Sequence, residues 1–213
     1  MRQDVSQSLR IAVLGATGGT GRHVVATAMA RGHDVVAVAR RAGSFERGPR
    51  LTEAVWPVVS DVGALTSALT GVDVVISTLG GAARGPTTVC TDAVRTTVAA
   101  MGAAGVTRLI VVSVHGVLET RGRSLYALAA WAGVGERMKD KETMEPLVTG
   151  SELDWTLVRP PQLTDAAATG TYRVGSALPV RLWSTIGRAD LAGFLVQEAE
   201  TARFVRAFPR IRR

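Results

Sequence analysis

Short, uninterrupted apolar runs recur along the chain, separated by stretches in which apolar positions fall three or four residues apart. The runs near 10–14, 34–39, 54–59, 73–78, 108–113 and 154–158 predict strands, and the patterns near 20–31, 63–69, 86–104, 134–149 and 188–200 predict helices. Val72-Asp73-Val74-Val75-Ile76 and Leu109-Ile110-Val111-Val112 lack the polar alternation of a half-exposed strand, as expected of parallel strands covered on both faces. Alternation of strand and helix throughout predicts a doubly wound, mostly parallel, Rossmann-like α/β sheet, one domain over residues 1–213. A final strand is expected at Phe204-Val205-Arg206-Ala207-Phe208. The βα alternation is the one repeat visible, with no low-complexity linker.

In such a sheet ligands lie beyond the carboxyl ends of the strands, which directs attention to the strand tips. The first tip runs Gly15-Ala16-Thr17-Gly18-Gly19-Thr20-Gly21 and opens a helix. Gly15 allows a sharp turn off the strand, Gly18 lets backbone approach a pyrophosphate, and Gly21 lets helix and sheet pack closely. The helix N-terminus then offers unpaired N–H groups to an anion, so Gly15, Thr17, Gly18, Gly19, Thr20 and Gly21 are candidate cofactor ligands. The second strand ends in Arg40-Arg41, where a carboxylate would serve an NAD ribose. A guanidinium there suits the 2′-phosphate of NADPH/NADP, the alternative being two solvated charges in an arginine-rich chain.

Later tips supply further candidates. Asp61 and Val62 would frame an adenine, with Asp61 accepting from its amino group; an N-cap of the next helix is the equal alternative. Leu79 and Gly80, within Thr78-Leu79-Gly80-Gly81, would pass beside the nicotinamide half. Ser113 and His115 end the fifth strand, and Arg159-Pro160-Pro161-Gln162 ends the sixth, where Pro160 would touch cofactor and the segment would wall the substrate pocket. That pocket is expected to be built from segments 113–133 and 159–185, with 116–133 either a lid over a flat aromatic substrate or simply a packed helix.

Composition changes this picture little. The chain has 213 residues, 46% of them hydrophobic, enough for one domain with a substantial core. Its net charge of +7 comes from scattered arginines without interleaved stacking aromatics, so no nucleic-acid partner is expected. The C-terminal group Arg203, Arg206, Arg210, Arg212 and Arg213 is read as a frayed tail or a weak anionic contact. Cys90 is alone and His23, His33 and His115 are far apart, so neither a disulfide nor a metal site is expected. The opening Met1–Ser8 is polar and no apolar run reaches membrane-span length, which points to a cytoplasmic protein without a membrane partner.

Together with Asp73-Val74-Val75-Ile76-Ser77, Gly105 to Ser113, Leu153 to Pro161 and Ile186-Gly187-Arg188-Ala189-Asp190-Leu191-Ala192, the glycine turn resembles the atypical short-chain dehydrogenases/reductases over nearly the full length. This group includes NmrA-like proteins and biliverdin IXβ/flavin reductase, and the resemblance implies the Rossmann fold and NAD(P) binding. Typical members use a Tyr-x-x-x-Lys pair. Here Tyr126 and Tyr172 are followed four residues later by Ala130 and Ser176, and the chain has no asparagine. Its two lysines are Lys139 and Lys141, within Lys139-Asp140-Lys141-Glu142. Lys141 is the candidate substitute near the ribose, the alternative being an exposed pair with Glu145 one turn on.

Ser113 is the candidate hydrogen-bond donor to substrate or carboxamide, with local backbone satisfaction as the alternative. His115 is the candidate acid, with an incidental loop histidine as the alternative. Hydride delivery to an aliphatic ketone needs a placed acid, whereas flavins and quinones delocalise the incoming charge. An NADPH-dependent reductase of a flavin, quinone or related conjugated aromatic small molecule is therefore expected, with a flavoprotein partner or homodimer allowed. The alternatives are a non-catalytic NADP-binding redox sensor and a carbonyl reductase using His115.

Overall fold

The computed structural model describes residues 8–46, 48–81, 87–122 and 124–213. Strands β1 (Arg10–Leu14), β2 (Asp34–Ala39), β3 (Leu51–Val55), β4 (Val74–Ser77), β5 (Arg108–Val112) and β6 (Asp154–Val158) form one parallel sheet in the order β3-β2-β1-β4-β5-β6. The order reverses between β1 and β4, which opens a crevice at the carboxyl end of β1. Helices α1 (Gly19–Ala30), α2 (Val62–Ala68), α3 (Val89–Ala104), α4 (Leu125–Thr149) and α5 (Arg188–Thr201) cover the two faces.

Period-two alternation within the apolar strands divides the core. Ile11 and Val13 of β1 pack with Val24, Val25, Leu191 and Leu195 on the α1/α5 face. Ala12 and Leu14 pack on the opposite face, where Leu65, Met101, Met144 and Val148 belong to α2, α3 and α4. Short pairs, β7 (Gln162–Thr164) with β9 (Thr185–Gly187) and β8 (Arg173–Gly175) with β10 (Arg210–Arg212), organise the segment after β6 and the C-terminus. Among the described residues no helix is long and apolar enough to cross a membrane.

Three elements depart from the sequence pattern. The third strand is Leu51–Val55 rather than 54–59: it lies at the sheet edge, so its exposed Thr52 interrupts the apolar run, and the strand stops before Pro57. The strand expected at 204–208 is a turn, with Arg206 at φ 52°. Its backbone still follows the open edge of β6, where Leu157 N donates to Ala207 O and Arg159 N to Pro209 O, and regular pairing begins at Arg210. The helix expected from 134 begins at Leu125, and Val134, with φ −140° and ψ 37°, marks a kink where the two parts meet. Thus most of the 124–133 part of the expected lid is helix, with Leu125 and Leu128 exposed and Arg121 stacked 3.8 Å over the Trp131 ring. Residue 123 of that segment, residue 86 at the start of the expected third helix, and Met1–Gln7 lie outside the described residues.

Candidate active site

The turn between β1 and α1 takes its shape from what glycine permits. Gly15 sits at φ +75°, and Gly18 N donates back to Gly15 O at 3.0 Å. At Gly21 a Cβ would stand 2.2 Å from Gly15 O, so any side chain there would push the helix off the turn. Gly18 caps α1 without a side-chain hydrogen bond, and the first turn of the helix contains no acidic residue. Its N-terminal dipole therefore faces outward unneutralised, as an anion site requires.

Beside the turn lies a cleft of about 710 Å³, lined by Gly15, Thr17, Gly18, Val38, Ala39, Arg40, Trp56 to Val59, Thr78 to Gly81 and Val89. Its volume falls in the range of small-molecule and cofactor sites. Six sequence candidates therefore share one cleft: Gly15, Thr17, Gly18, Arg40, Leu79 and Gly80. Gly19, Thr20 and Gly21 form the adjoining first turn of α1. Arg41 is exposed just beyond the lining. The Glu53 carboxylate accepts from Gly43 N and Ser44 N at 2.7 and 2.9 Å, and among the described residues Arg40 is the charged side chain in the lining.

Asp61 is an N-cap, accepting from Ala64 N at 2.9 Å, and with Val62 lies outside the cleft lining. The wall expected from these two comes instead from Trp56 to Val59, with Trp56 Nε1 donating to Asp61 O at 3.0 Å. Pattern reading missed this wall because it assigned 54–59 to a strand, although Pro57 was the signal against that.

Ser113, His115, Lys141 and Pro160 gather in a second cluster at the tips of β5 and β6, outside the cleft lining. The β5–β6 pairing continues past the strands, with Ser113 N donating to Val158 O and His115 N to Pro160 O. Lys141 points inward. Its Nζ donates to Leu79 O at 2.9 Å and Val112 O at 2.7 Å, tying the tips of β4 and β5 together. The next acidic position on the same helix face, Glu145, is fully buried and pairs elsewhere: it accepts from Ser113 Oγ at 2.5 Å and from Arg159 Nη2 at 2.5 Å. Arg159 also pairs with Glu119. Burial would lower the Arg159 pKa, but the hydrogen bonds that the guanidinium donates to Glu145 and Glu119, with their charges, outweigh it and raise it. Arg159 thus sits in a buried ion-pair network instead of walling a pocket.

The Ser113 hydroxyl donates to the Glu145 carboxylate and presents its lone pairs elsewhere. The donor role expected for Ser113 is thereby taken up inside the protein. His115 is buried against Tyr126, with ring centroids 5.4 Å apart and, among the described residues, no hydrogen-bond partner for Nδ1. Burial first, then the charges of Arg210 and Arg159, lower its pKa to about 4. Its imidazole is neutral at neutral pH, so the acid role expected for an imidazolium there is unsupported. Burial likewise raises the Tyr126 phenol to about 12. Cys90 is a buried thiol whose pKa is raised by burial, consistent with an inert core role.

A family of NAD(P)H-binding domains matches residues 15–202. The chain belongs to this NAD(P)H-binding family. Its cofactor is NAD(P)H, and the uncapped glycine turn and adjoining cleft fit that group. Among similar solved structures, an Escherichia coli O157:H7 protein described as an anaerobillin reductase is 26% identical, with TM-score 0.78, covering 95% of this chain and 96% of that one. A Streptococcus pneumoniae protein described as a putative NADH-flavin reductase is 24% identical, with TM-score 0.74 over 96% of this chain and 99% of its own. A Lactococcus lactis oxidoreductase is 18% identical, with TM-score 0.83 over 95% of this chain and 90% of its own. The latter two report the shared fold. Family membership gives NAD(P)H binding, and the similar structures include proteins described as oxidoreductases or reductases.

Proposed function

We propose that the chain is an NADPH-dependent reductase that passes hydride to a flavin, quinone or related conjugated aromatic small molecule. NADPH, when bound, supplies the hydride. The observation that carries the reading is the internal commitment of the polar groups at the β5 and β6 tips: Ser113 donates to Glu145, Lys141 to two backbone carbonyls, and His115 is neutral. A ketone would need one of these to stabilise an alkoxide, whereas a conjugated acceptor spreads the charge and takes its proton from water. The similar structure named as an anaerobillin reductase supports a reductase reading.

Preference for NADPH over NADH rests on Arg40 at the β2 tip and on the commitment of the Glu53 carboxylate to Gly43 N and Ser44 N. Lys141 in this reading is a positioning residue: by fixing the Leu79 carbonyl it shapes the wall of the cleft that the nicotinamide half would meet.

A second reading, a redox sensor that holds NADP without turnover, is favoured by the placement of Ser113 and His115 outside the cleft lining among the described residues. Initial rates of NADPH and NADH oxidation with FMN and a panel of quinones separate the two. Turnover that prefers NADPH supports the reductase. Tight NADP(H) binding without turnover on any acceptor supports the sensor.

A further inference from the structure

Arg188, the first residue of α5, has its side chain against Gly19 in the first turn of α1. Its Cδ and Nε are 3.0 and 3.1 Å from the point where a Cβ on Gly19 would stand. Gly19 is outside the Gly15, Gly18, Gly21 spacing, and this contact gives it a purpose: a side chain there would displace the arginine. The guanidinium therefore sits beside the positive end of a helix that has no side-chain cap and no acidic residue in its first turn. Two positive sources converging in this way repel one another unless an anion lies between them. The anion at hand is Asp165, 2.6 Å from Nη1, with a side chain 86% exposed. An ion pair so open to water is weak and exchanges readily.

We propose that Arg188 is a further cofactor-binding residue, releasing Asp165 to hold the diphosphate of NAD(P)H against the N-terminus of α1. The planar guanidinium presents two parallel N–H donors suited to phosphate oxygens. The two arginines then divide the cofactor: Arg40 reads the 2′-phosphate that distinguishes NADPH, and Arg188 grips the diphosphate common to both dinucleotides. This assignment rests on cofactor binding alone and is independent of the acceptor.

Dissociation constants for NADPH, NADH and adenosine 2′-monophosphate, measured calorimetrically, test the division. Arg188→Ala is expected to weaken NADPH and NADH equally, by about tenfold or more, and to leave adenosine 2′-monophosphate unchanged. Gly19→Ala, which displaces the side chain without deleting it, is expected to reproduce this pattern. Arg188→Lys keeps the charge but loses the fork, and is expected to fall between wild type and Arg188→Ala. Asp165→Asn is expected to tighten both dinucleotides by roughly twofold to threefold. Unchanged dinucleotide affinity in Arg188→Ala, or a loss confined to NADPH, would overturn the proposal.

Discussion

The tips of β1 and β2 and the tips of β5 and β6 handle polar groups in opposite ways. At the first, the α1 N-terminus is uncapped and Arg40 lines an open cleft. At the second, Ser113, Glu145 and Arg159 satisfy one another in the interior, and Lys141 ties two strand ends together. A site that leaves donors open is prepared for a ligand, whereas one that satisfies them internally is prepared to be rigid. Cofactor specificity can therefore be read from the first region. The second limits the chemistry by what it withholds.

The strongest way to break this contrast is to open the buried network. Glu145→Ala leaves the guanidinium of Arg159 in the interior with Glu119 as its remaining carboxylate, and should destabilise the fold by about 3–5 kcal/mol in urea unfolding. A loss below about 1 kcal/mol would show that the network is not holding the strand tips.

His115 extends the contrast to pH. Burial holds its folded pKa near 4, against an ordinary value of 6.5, so in that window the unfolded chain binds the additional proton. Stability is therefore complete above the upper value and falls as pH drops towards the lower one, by roughly 3 kcal/mol for this group. His115→Gln should flatten that part of the pH–stability curve. It should also leave reduction of conjugated acceptors in place, whereas a carbonyl reductase dependent on His115 would lose its activity.

On the cofactor side, Gly21→Ala introduces a Cβ 2.2 Å from Gly15 O and should weaken NADPH binding by about 100-fold, seen as a loss of ligand-induced thermal stabilisation. Arg40→Ala is a smaller change, expected to erase about tenfold of the preference for NADPH over NADH in titrations of both. If the ratio of the two affinities did not move, Arg40 would be a solvated surface charge.

The sequence made the two regions unequally readable. β1, β2 and β6 were plain because apolar runs buried on both faces have few other uses, and the glycine turn because its spacing follows from local backbone geometry. β3 escaped because an edge strand keeps polar residues. Lys141 stood out as one of two lysines, but the direction of its side chain depends on where the long, kinked α4 packs across the strand tips. Ser113 and Glu145 are 32 residues apart and Glu145 and Arg159 are 14 apart, joined by the crossover from β5 through α4 to β6. No spacing rule announces such a meeting. Arg188 was visible within a family-like motif, while its approach to Gly19 required the packing of α5 against α1.

Reduction of acceptors that need no acid from the β5 and β6 tips defines the proposed activity. Its most direct test is the rate of NADPH oxidation by FMN, and separately by an aliphatic ketone, in wild type and Ser113→Ala. The expected result is turnover with FMN that stays within about threefold in the variant, with no ketone reduction. Faster reduction of the ketone than of FMN, abolished in Ser113→Ala, would contradict it.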